Sequence, residues 1–250
     1  MTDLYFATDE QGRRVVLRVI KEEHRKERTI RRQFFNGIEV LRNLDHPNIV
    51  RIFHHGKIHG DPWMAVEYHV CQDLRERISS LDSDLHTYGY RLVQELAETL
   101  TYMHQAGYLH MDLKPENILI TENLHPILID FDLAIQHNNR VIKVKKLSGT
   151  GNFLAPETYH EHIIDERAEV FAFGATMYEL LCGHKPFVAE NSQDYRHKLM
   201  DLDAEPVPID QHRTGIAVGL ETVILKCLAK RREERYPSMS LVLRDLDSLV

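Results

Sequence analysis

Residues 110–117 read HMDLKPEN and decide the fold of this chain of 250 residues. The sequence DFD follows at 130–132, thirteen residues after Asn117, and APE follows at 155–157. One short motif alone would be weak evidence for a fold, but three in this order and at workable spacing are rarely a coincidence. The motifs lie between a strand-rich and a helix-rich part of the chain.

The start of the chain favours a β-hairpin followed by a helix. The segments LYFA at 4–7 and RRVVLRVI at 13–20 are rich in β-branched and aromatic residues. They flank the turn sequence DEQG, which predicts two paired strands. A charged stretch at 21–44 predicts a helix that ends at the following DHP sequence, because the residue before a proline disfavours helical backbone.

Four further segments have the composition of short strands. IVRIF at 49–53 and WMAVEY at 63–68 predict a second strand pair, joined by a turn over 56–62. Farther along the chain, ILI at 118–120 and ILID at 127–130 bracket a turn that contains asparagine and proline. The first pair completes a small sheet in the first part of the chain.

Helical patterns dominate the second part. Residues 90–106 place apolar side chains at intervals of four, four and three, and Gly107 follows as a stop signal. The pattern is helical again beyond residue 165. The sequence therefore predicts an α+β fold with two lobes around a cleft, a small β-rich lobe over 1–69 and a larger helical lobe over 70–250.

Composition excludes several classes of protein. The chain carries 31 Lys and Arg against 38 Asp and Glu, a net charge of −7, whereas nucleic-acid binders need a basic face. Its three cysteines are far apart, which favours a reducing compartment over a disulfide framework. The polar start is unlike a signal peptide, and the longest apolar stretch, 170–182, is too short to cross a membrane. We therefore expect a cytoplasmic protein that binds neither nucleic acid nor membrane.

From about residue 4 to residue 235, the chain resembles the eukaryotic-type serine/threonine protein kinases. HMDLKPEN resembles their catalytic loop, DFD their metal-binding triplet and APE the end of their activation segment. Gly149-Thr150 and Lys114 resemble the serine/threonine type in particular. The resemblance also implies that Arg235 forms a buried ion pair with Glu157.

The resemblance assigns roles in phosphoryl transfer, which depends on positioning two oxygens in line and on neutralising phosphate charge. Asp112 would accept the proton of a Ser or Thr hydroxyl, and Lys114 would offer a cation to the moving phosphoryl group. Asn117 and Asp130 carry oxygen ligands of the kind that Mg²⁺ prefers. Asp112 and Asn117 could also serve only to hold their loop by hydrogen bonds.

The resemblance also implies an ATP site between the lobes. Leu4, Val16 and Leu119 would enclose the adenine, unless these apolar side chains are simply part of the core. Glu67 to His69 would offer backbone groups from a hinge near Tyr68–Cys71.

Several departures from the family pattern concern the phosphate end of this site. No glycine-rich loop precedes Leu4, and Arg18 stands where the family has a lysine. The family spacing places Gly37 where a helix glutamate should pair with that lysine. Glu39 is two positions on, roughly 200° around a helix, and so faces elsewhere.

The metal triplet and the catalytic loop also depart from the pattern. Asp132 replaces the glycine that ends the triplet, which adds a carboxylate near the metal. Met111 replaces the arginine that would hold an activation-loop phosphate, so we expect no switching by that route. Arg18 could turn to bound phosphate or to an internal carboxylate such as Asp130 or Asp132. We favour the internal contact, because Asp132 supplies the negative charge that Gly37 lacks.

Three functions agree with these residues. The favoured one is a pseudokinase that binds ATP and Mg²⁺ weakly or not at all and acts through protein partners. The alternative is an active, atypical serine/threonine kinase in which Arg18 contacts phosphate and a protein is the substrate. The third is a nucleotidyl- or other transferase that uses the same metal residues with ATP in a different orientation.

Overall fold

A four-stranded antiparallel sheet opens the computed structural model, which describes residues 1–80, 83–138, 140–144, 151–213 and 215–249. The strands lie in the order β1-β2-β4-β3. Their bounds are Thr2–Thr8 (β1), Arg14–Ile20 (β2), Ile52–Ile58 (β3) and Asp61–Glu67 (β4). The predicted hairpin is confirmed, since β1 pairs with β2 over its whole length. The strand that contains Leu4 begins two residues earlier than predicted, and no separate strand precedes it among the described residues.

One long helix, α1 (Arg28–Arg42), packs beside this sheet. Phe34, Ile38 and Leu41 are buried and recur at the three- and four-residue spacing of a helix face. The predicted start at residue 21 was too early. Lys21 N donates to Met1 O at 3.1 Å, which extends the hairpin, and residues 22–24 form a separate 3₁₀ turn.

The predicted strand at 49–53 was misplaced, because its first residues pair with the second part of the chain. Val50 N donates to Leu128 O at 3.0 Å, so β3 begins only at Ile52. The predicted turn over 56–62 was also too long. Gly56 lies inside β3, where a Cβ would come within 3.0 Å of the Trp63 ring, and the chain turns instead at His59 and Gly60, both with positive φ.

Helices form most of the second part. Their bounds are Leu74–Ser79 (α2), Ser83–Gln105 (α3), Pro156–His160 (α4), Glu166–Cys182 (α5), Ser192–Met200 (α6), Ile209–His212 (α7), Val218–Cys227 (α8) and Met239–Asp247 (α9). Helix α3 begins earlier than the predicted 90–106, but it ends as predicted before Gly107, whose φ is 83°. Helix α5 is buried on nearly all sides and packs against α3 and α8.

Short strands hold the loops of the second part in place. Their bounds are Cys71–Asp73 (β5), Tyr108–Leu109 (β6), Ile118–Thr121 (β7), Pro126–Leu128 (β8), Ile135–Gln136 (β9), Ile142–Lys143 (β10) and Ile163–Ile164 (β11). The β7–β8 pair confirms the two strands predicted at 118–120 and 127–130, although β8 ends two residues earlier. The fold is α+β with a β-rich and a helical lobe, and the lobe boundary at residues 69 and 70 remains a prediction.

An ion pair in the helical lobe confirms one sequence prediction. Arg235 Nη1 and Nη2 donate to the two carboxylate oxygens of Glu157 at 2.7 and 2.8 Å. The side chains are 0% and 4% exposed. Such a two-pronged contact between a guanidinium and a carboxylate fixes both groups and is stronger than a single hydrogen bond. It ties the end of the APE motif to the segment before α9.

Within the described ranges, no helix combines the length and the apolar character needed to cross a bilayer.

Candidate active site

The loop between β6 and β7 brings together three predicted site residues. Lys114 Nζ donates to Asp112 Oδ2 at 2.6 Å. Asn117 Nδ2 donates to the same oxygen at 3.0 Å and to the Asp112 carbonyl at 2.8 Å. Asp112 is 9% exposed. The loop therefore presents an oriented carboxylate with a cation and an amide beside it.

Glu169 on α5 binds the backbone of this loop. The sequence analysis missed this residue. Its Oε1 accepts hydrogen bonds from His110 N at 2.7 Å and from Met111 N at 2.9 Å. These contacts stabilise the loop at Met111, where φ is 68°, a backbone conformation that few residues other than glycine adopt. A glutamate in the otherwise apolar sequence of α5 was the available signal.

His104 on α3 completes the network under the loop. Its Nε2 lies 2.6 Å from Glu169 Oε2, and its Nδ1 lies 3.3 Å from Glu166 Oε2. Burial alone would lower the pKa of His104, but the hydrogen bonds to the two carboxylates outweigh it and raise the pKa to about 9. Burial would likewise raise the pKa of Glu169, whose hydrogen bond from His104 instead lowers it. His104 is therefore a buried cation at neutral pH.

This network predicts a loss of stability at alkaline pH. The folded pKa of His104 lies above its ordinary 6.5, so protonation stabilises the folded protein fully below about pH 6.5, and this stabilisation is lost as the pH rises through about 9. The shift corresponds to a free energy on the order of 3 kcal/mol. Chemical unfolding of wild type and His104→Gln from pH 6 to 10 should show a difference in unfolding free energy that shrinks with rising pH.

The exposed His125 offers a matched control for this measurement. His125→Gln should change the unfolding free energy at pH 6 by no more than about 1 kcal/mol, because the His125 side chain is 53% exposed and exposed pairs such as its 3.0 Å contact with Glu95 contribute little. A difference between wild type and His104→Gln that stays constant from pH 6 to 10 would contradict the assignment of a buried cation.

The predicted metal triplet lies beside the catalytic loop. Phe131 is fully buried, and its ring centroid is 4.9 Å from that of His110. Asp130 has a φ of 63°, which turns the chain sharply at this residue. Asp132, the extra carboxylate, is buried, and its φ is not positive.

Arg18 contacts both aspartates, as the sequence analysis favoured. Its Nη1 donates to Asp132 Oδ1 at 3.0 Å and its Nη2 to Asp132 Oδ2 at 2.7 Å. Nη2 also donates to Asp130 Oδ1 at 3.1 Å. The side chains of Arg18, Asp130 and Asp132 are 14%, 36% and 9% exposed. Burial raises the pKa of the Asp132 carboxyl, and the charge of Arg18 offsets only part of this rise.

A cleft of about 510 Å³ opens between the sheet and β7. Its lining includes every residue predicted to bind ATP or metal: Leu4, Val16, Arg18, Glu67, His69, Asn117, Leu119 and Asp130. The four residues of the predicted hinge, Tyr68–Cys71, also line it. Leu4 is 65% exposed at the edge of the cleft. Sequence reasoning missed the other six residues of the lining, which are Thr2, Leu41, Val50, Met64, Val66 and Ile129.

The residues present fit ATP and Mg²⁺. Apolar side chains from both lobes line the cleft, as a planar base requires, and the residues of the predicted hinge line it too. No group of three His, Cys, Asp or Glu suited to a metal occurs in the described part of the chain. A site with few protein ligands plus phosphate oxygens is the kind that Mg²⁺ uses, and Asn117 with Asp130 can supply the protein part.

Two predictions concern the activation segment. Met111 is partly buried and packs against the core, so the position that would bind an activation-loop phosphate is apolar. Gly149 and Thr150, which resemble the serine/threonine type, lie outside the described residues.

Comparisons with known proteins agree with this geometry. A family model described as protein kinase domain matches residues 4–245. The serine/threonine-protein kinase PknB of Mycobacterium leprae is 28% identical over 255 residues, which cover 98% of this chain and 40% of that protein. The probable serine/threonine-protein kinase PknB of Corynebacterium glutamicum is 28% identical over 263 residues, covering all of this chain and 40% of that protein. The chain thus spans well under half the length of these relatives.

Proposed function

Because the chain belongs to the eukaryotic-type serine/threonine protein kinase family, we propose that it transfers the γ-phosphate of ATP to Ser or Thr hydroxyls of a protein substrate. The observation that carries the proposal is the arrangement at Asp112, whose Oδ2 accepts hydrogen bonds from both Lys114 and Asn117. A carboxylate so oriented, with a cation beside it, suits the removal of a proton next to a negatively charged phosphate.

In the transfer step, the substrate hydroxyl oxygen forms a bond to the γ-phosphorus while the bond from that phosphorus to the β–γ bridging oxygen breaks. Asp112 accepts the hydroxyl proton, and ADP leaves with the bridging oxygen. Lys114 places its ammonium group beside the carboxylate, where it offsets charge on the transferred group. Asn117 and Asp130 would hold Mg²⁺, which when bound neutralises phosphate charge.

The cleft supports binding of the nucleotide itself. Val16 from the sheet and Leu119 from β7 both line it and would enclose the adenine, together with the exposed Leu4. The backbone of Glu67 to His69 would pair with the polar edge of the base. The partner implied by this function is a protein substrate. The three cysteines are unpaired, and we include in the proposal a cytoplasmic location, where ATP is available.

A second candidate is the pseudokinase, and one contact favours it. Arg18 Nη2 donates to Asp130 Oδ1 at 3.1 Å, so the guanidinium is bound to an oxygen that Mg²⁺ would use. The guanidinium is also a wide planar fork that does not place its charge as a compact ammonium does. If this contact persists when ATP binds, the domain would bind nucleotide weakly and act through protein partners without transfer.

Labelled nucleotides distinguish the candidates. The purified chain is incubated with Mg²⁺, casein as acceptor, and ATP labelled at either the α- or the γ-phosphate. The proposal expects γ-label on Ser or Thr of the protein and no α-label. Transfer of the α-label would indicate a nucleotidyltransferase. Absence of both labels, together with an unfolding temperature that ATP and Mg²⁺ do not shift, would indicate a pseudokinase without nucleotide binding.

A further inference from the structure

We infer that Asp132 is the positioning residue that holds Arg18 in the cleft, and that Gly37 on α1 leaves the space which the Asp132 carboxylate requires. This inference rests on the proposed phosphotransfer and identifies the residues that orient one cation of its site, the Arg18 guanidinium. The carboxylate that pairs with Arg18 then lies in the 130–132 segment instead of on α1.

A side chain at position 37 would collide with the Asp132 carboxylate. A Cβ placed on Gly37 would lie 2.5 Å from Asp132 Oδ1 and 3.4 Å from Asp132 N. The 3.4 Å distance is an ordinary contact, but real Cβ atoms essentially never come within 2.5 Å of an oxygen, so any side chain at position 37 would exclude the observed position of the Asp132 carboxylate. Gly37 has no positive φ, so the backbone does not require glycine there. Since glycine weakens a helix interior relative to alanine, the room it leaves is the physical reason for its presence.

The contact between Arg18 and Asp132 is bidentate. The two terminal nitrogens of Arg18 meet the two oxygens of Asp132, at 3.0 and 2.7 Å. Paired contacts of this kind fix the plane of the guanidinium as well as its distance. Arg18 Nε donates to Thr2 Oγ1 at 3.3 Å, and the Arg18 Cζ lies 5.3 Å from the centroid of the Phe34 ring. The direction of the Arg18 charge is therefore determined mainly by Asp132.

Helix α1 meets the loop at two neighbouring residues, Asn36 and Gly37. Asn36 Nδ2 donates to the carbonyl of Ala134 at 2.6 Å and to that of Asp132 at 3.4 Å. The helix thus contacts the loop through a neutral amide at position 36 and a bare backbone at position 37. The carboxylate on α1 nearest in sequence, Glu39, is 65% exposed and pairs with Arg42. One loop therefore supplies both the proposed metal ligand Asp130 and the partner of the cation.

Moving the carboxylate back to the helix tests this inference. The variants are Asp132→Gly, Gly37→Glu and the double variant that carries both changes, with Asp132→Asn as a change of charge at nearly constant shape. The kcat and the KM for ATP are measured with γ-labelled ATP, and the unfolding temperature is measured for each variant. The exposed Glu39→Gln serves as the matched control and should match wild type in all three quantities.

We expect Asp132→Gly, Asp132→Asn and Gly37→Glu each to lower kcat by about 10²-fold, the usual effect of disturbing one charge-stabilising group. The KM for ATP should change less than about threefold, whereas a general loss of structure would change the KM as well. The double variant should recover to within about tenfold of wild type, because the clash is removed while a carboxylate returns. A double variant no better than Asp132→Gly would overturn the inference, as would single variants with the kcat of wild type.

The unfolding temperature separates this inference from the proposed function. If wild type transfers no phosphate, the proposed function fails, but the coupling between positions 37 and 132 can still be measured. Gly37→Glu should then lower the unfolding temperature by at least about 2–4 °C, and adding Asp132→Gly should restore most of that loss. Strictly additive shifts in unfolding temperature would overturn the inference.

Discussion

Asp112→Asn is expected to lower γ-phosphate transfer by about 10³-fold, within the range that a general base contributes. The substitution keeps the shape of the side chain, but a neutral amide cannot accept the hydroxyl proton. The fold should survive, because the backbone of the loop is held independently by Glu169, through His110 N and Met111 N. The measurement is the rate of label incorporation from γ-labelled ATP, together with the unfolding temperature of each protein.

The exposed Asp203 gives a matched control for this substitution. Asp203→Asn removes the same charge from the surface and should leave the transfer rate unchanged. Label incorporation by Asp112→Asn at the rate of wild type would contradict the role of Asp112. It would also assign the labelling to another activity in the preparation.

Arg235→Ala is expected to lower the free energy of unfolding by about 3–5 kcal/mol, the usual cost of removing one partner of a buried ion pair. Glu157 would keep a buried charge without its guanidinium. The carbonyls of Ala229, Arg167 and Lys230 would also lose the hydrogen bonds that Arg235 donates to them. Chemical unfolding followed by circular dichroism measures the change.

Arg244 provides the matched control, since its side chain is 69% exposed and pairs with Asp245. Exposed ion pairs of this kind contribute between 0 and about 1 kcal/mol. Arg244→Ala should therefore unfold nearly as wild type does. Equal unfolding free energies for Arg235→Ala and Arg244→Ala would show that the Glu157–Arg235 contact does not stabilise the helical lobe.

Much of the site could be predicted from the sequence because its residues lie close together in the chain. Asp112, Lys114 and Asn117 share one loop, so their spacing alone brings them together. The contact between Arg18 and Asp132 joins residues 114 positions apart, yet it was predictable from charge. Arg18 lacks the glutamate partner of the family pattern and Asp132 is an additional carboxylate, and both were expected in the same cleft.

Other features depend on three-dimensional packing that sequence patterns do not contain. The 2.5 Å approach of a Gly37 Cβ to Asp132 is visible only when α1 and the loop are in place. The pairing of His104 with Glu169 joins two helices over 65 positions. The start of β3 was missed for a similar reason, since Val50 pairs with Leu128 instead of with the neighbouring sheet strand. Local propensity describes such residues poorly because tertiary contacts decide their conformation.

In this site, internal carboxylates hold Arg18, which is therefore not kept free for the ground-state nucleotide. Calorimetric titration of wild type and Arg18→Ala with ATP and Mg²⁺ tests it most directly. We expect Arg18→Ala to bind Mg²⁺-ATP as tightly as wild type or more tightly, because Asp130 loses its contact with Nη2 and is freer to bind the metal. A loss of affinity of about tenfold or more, equivalent to about 1.4 kcal/mol, would contradict it.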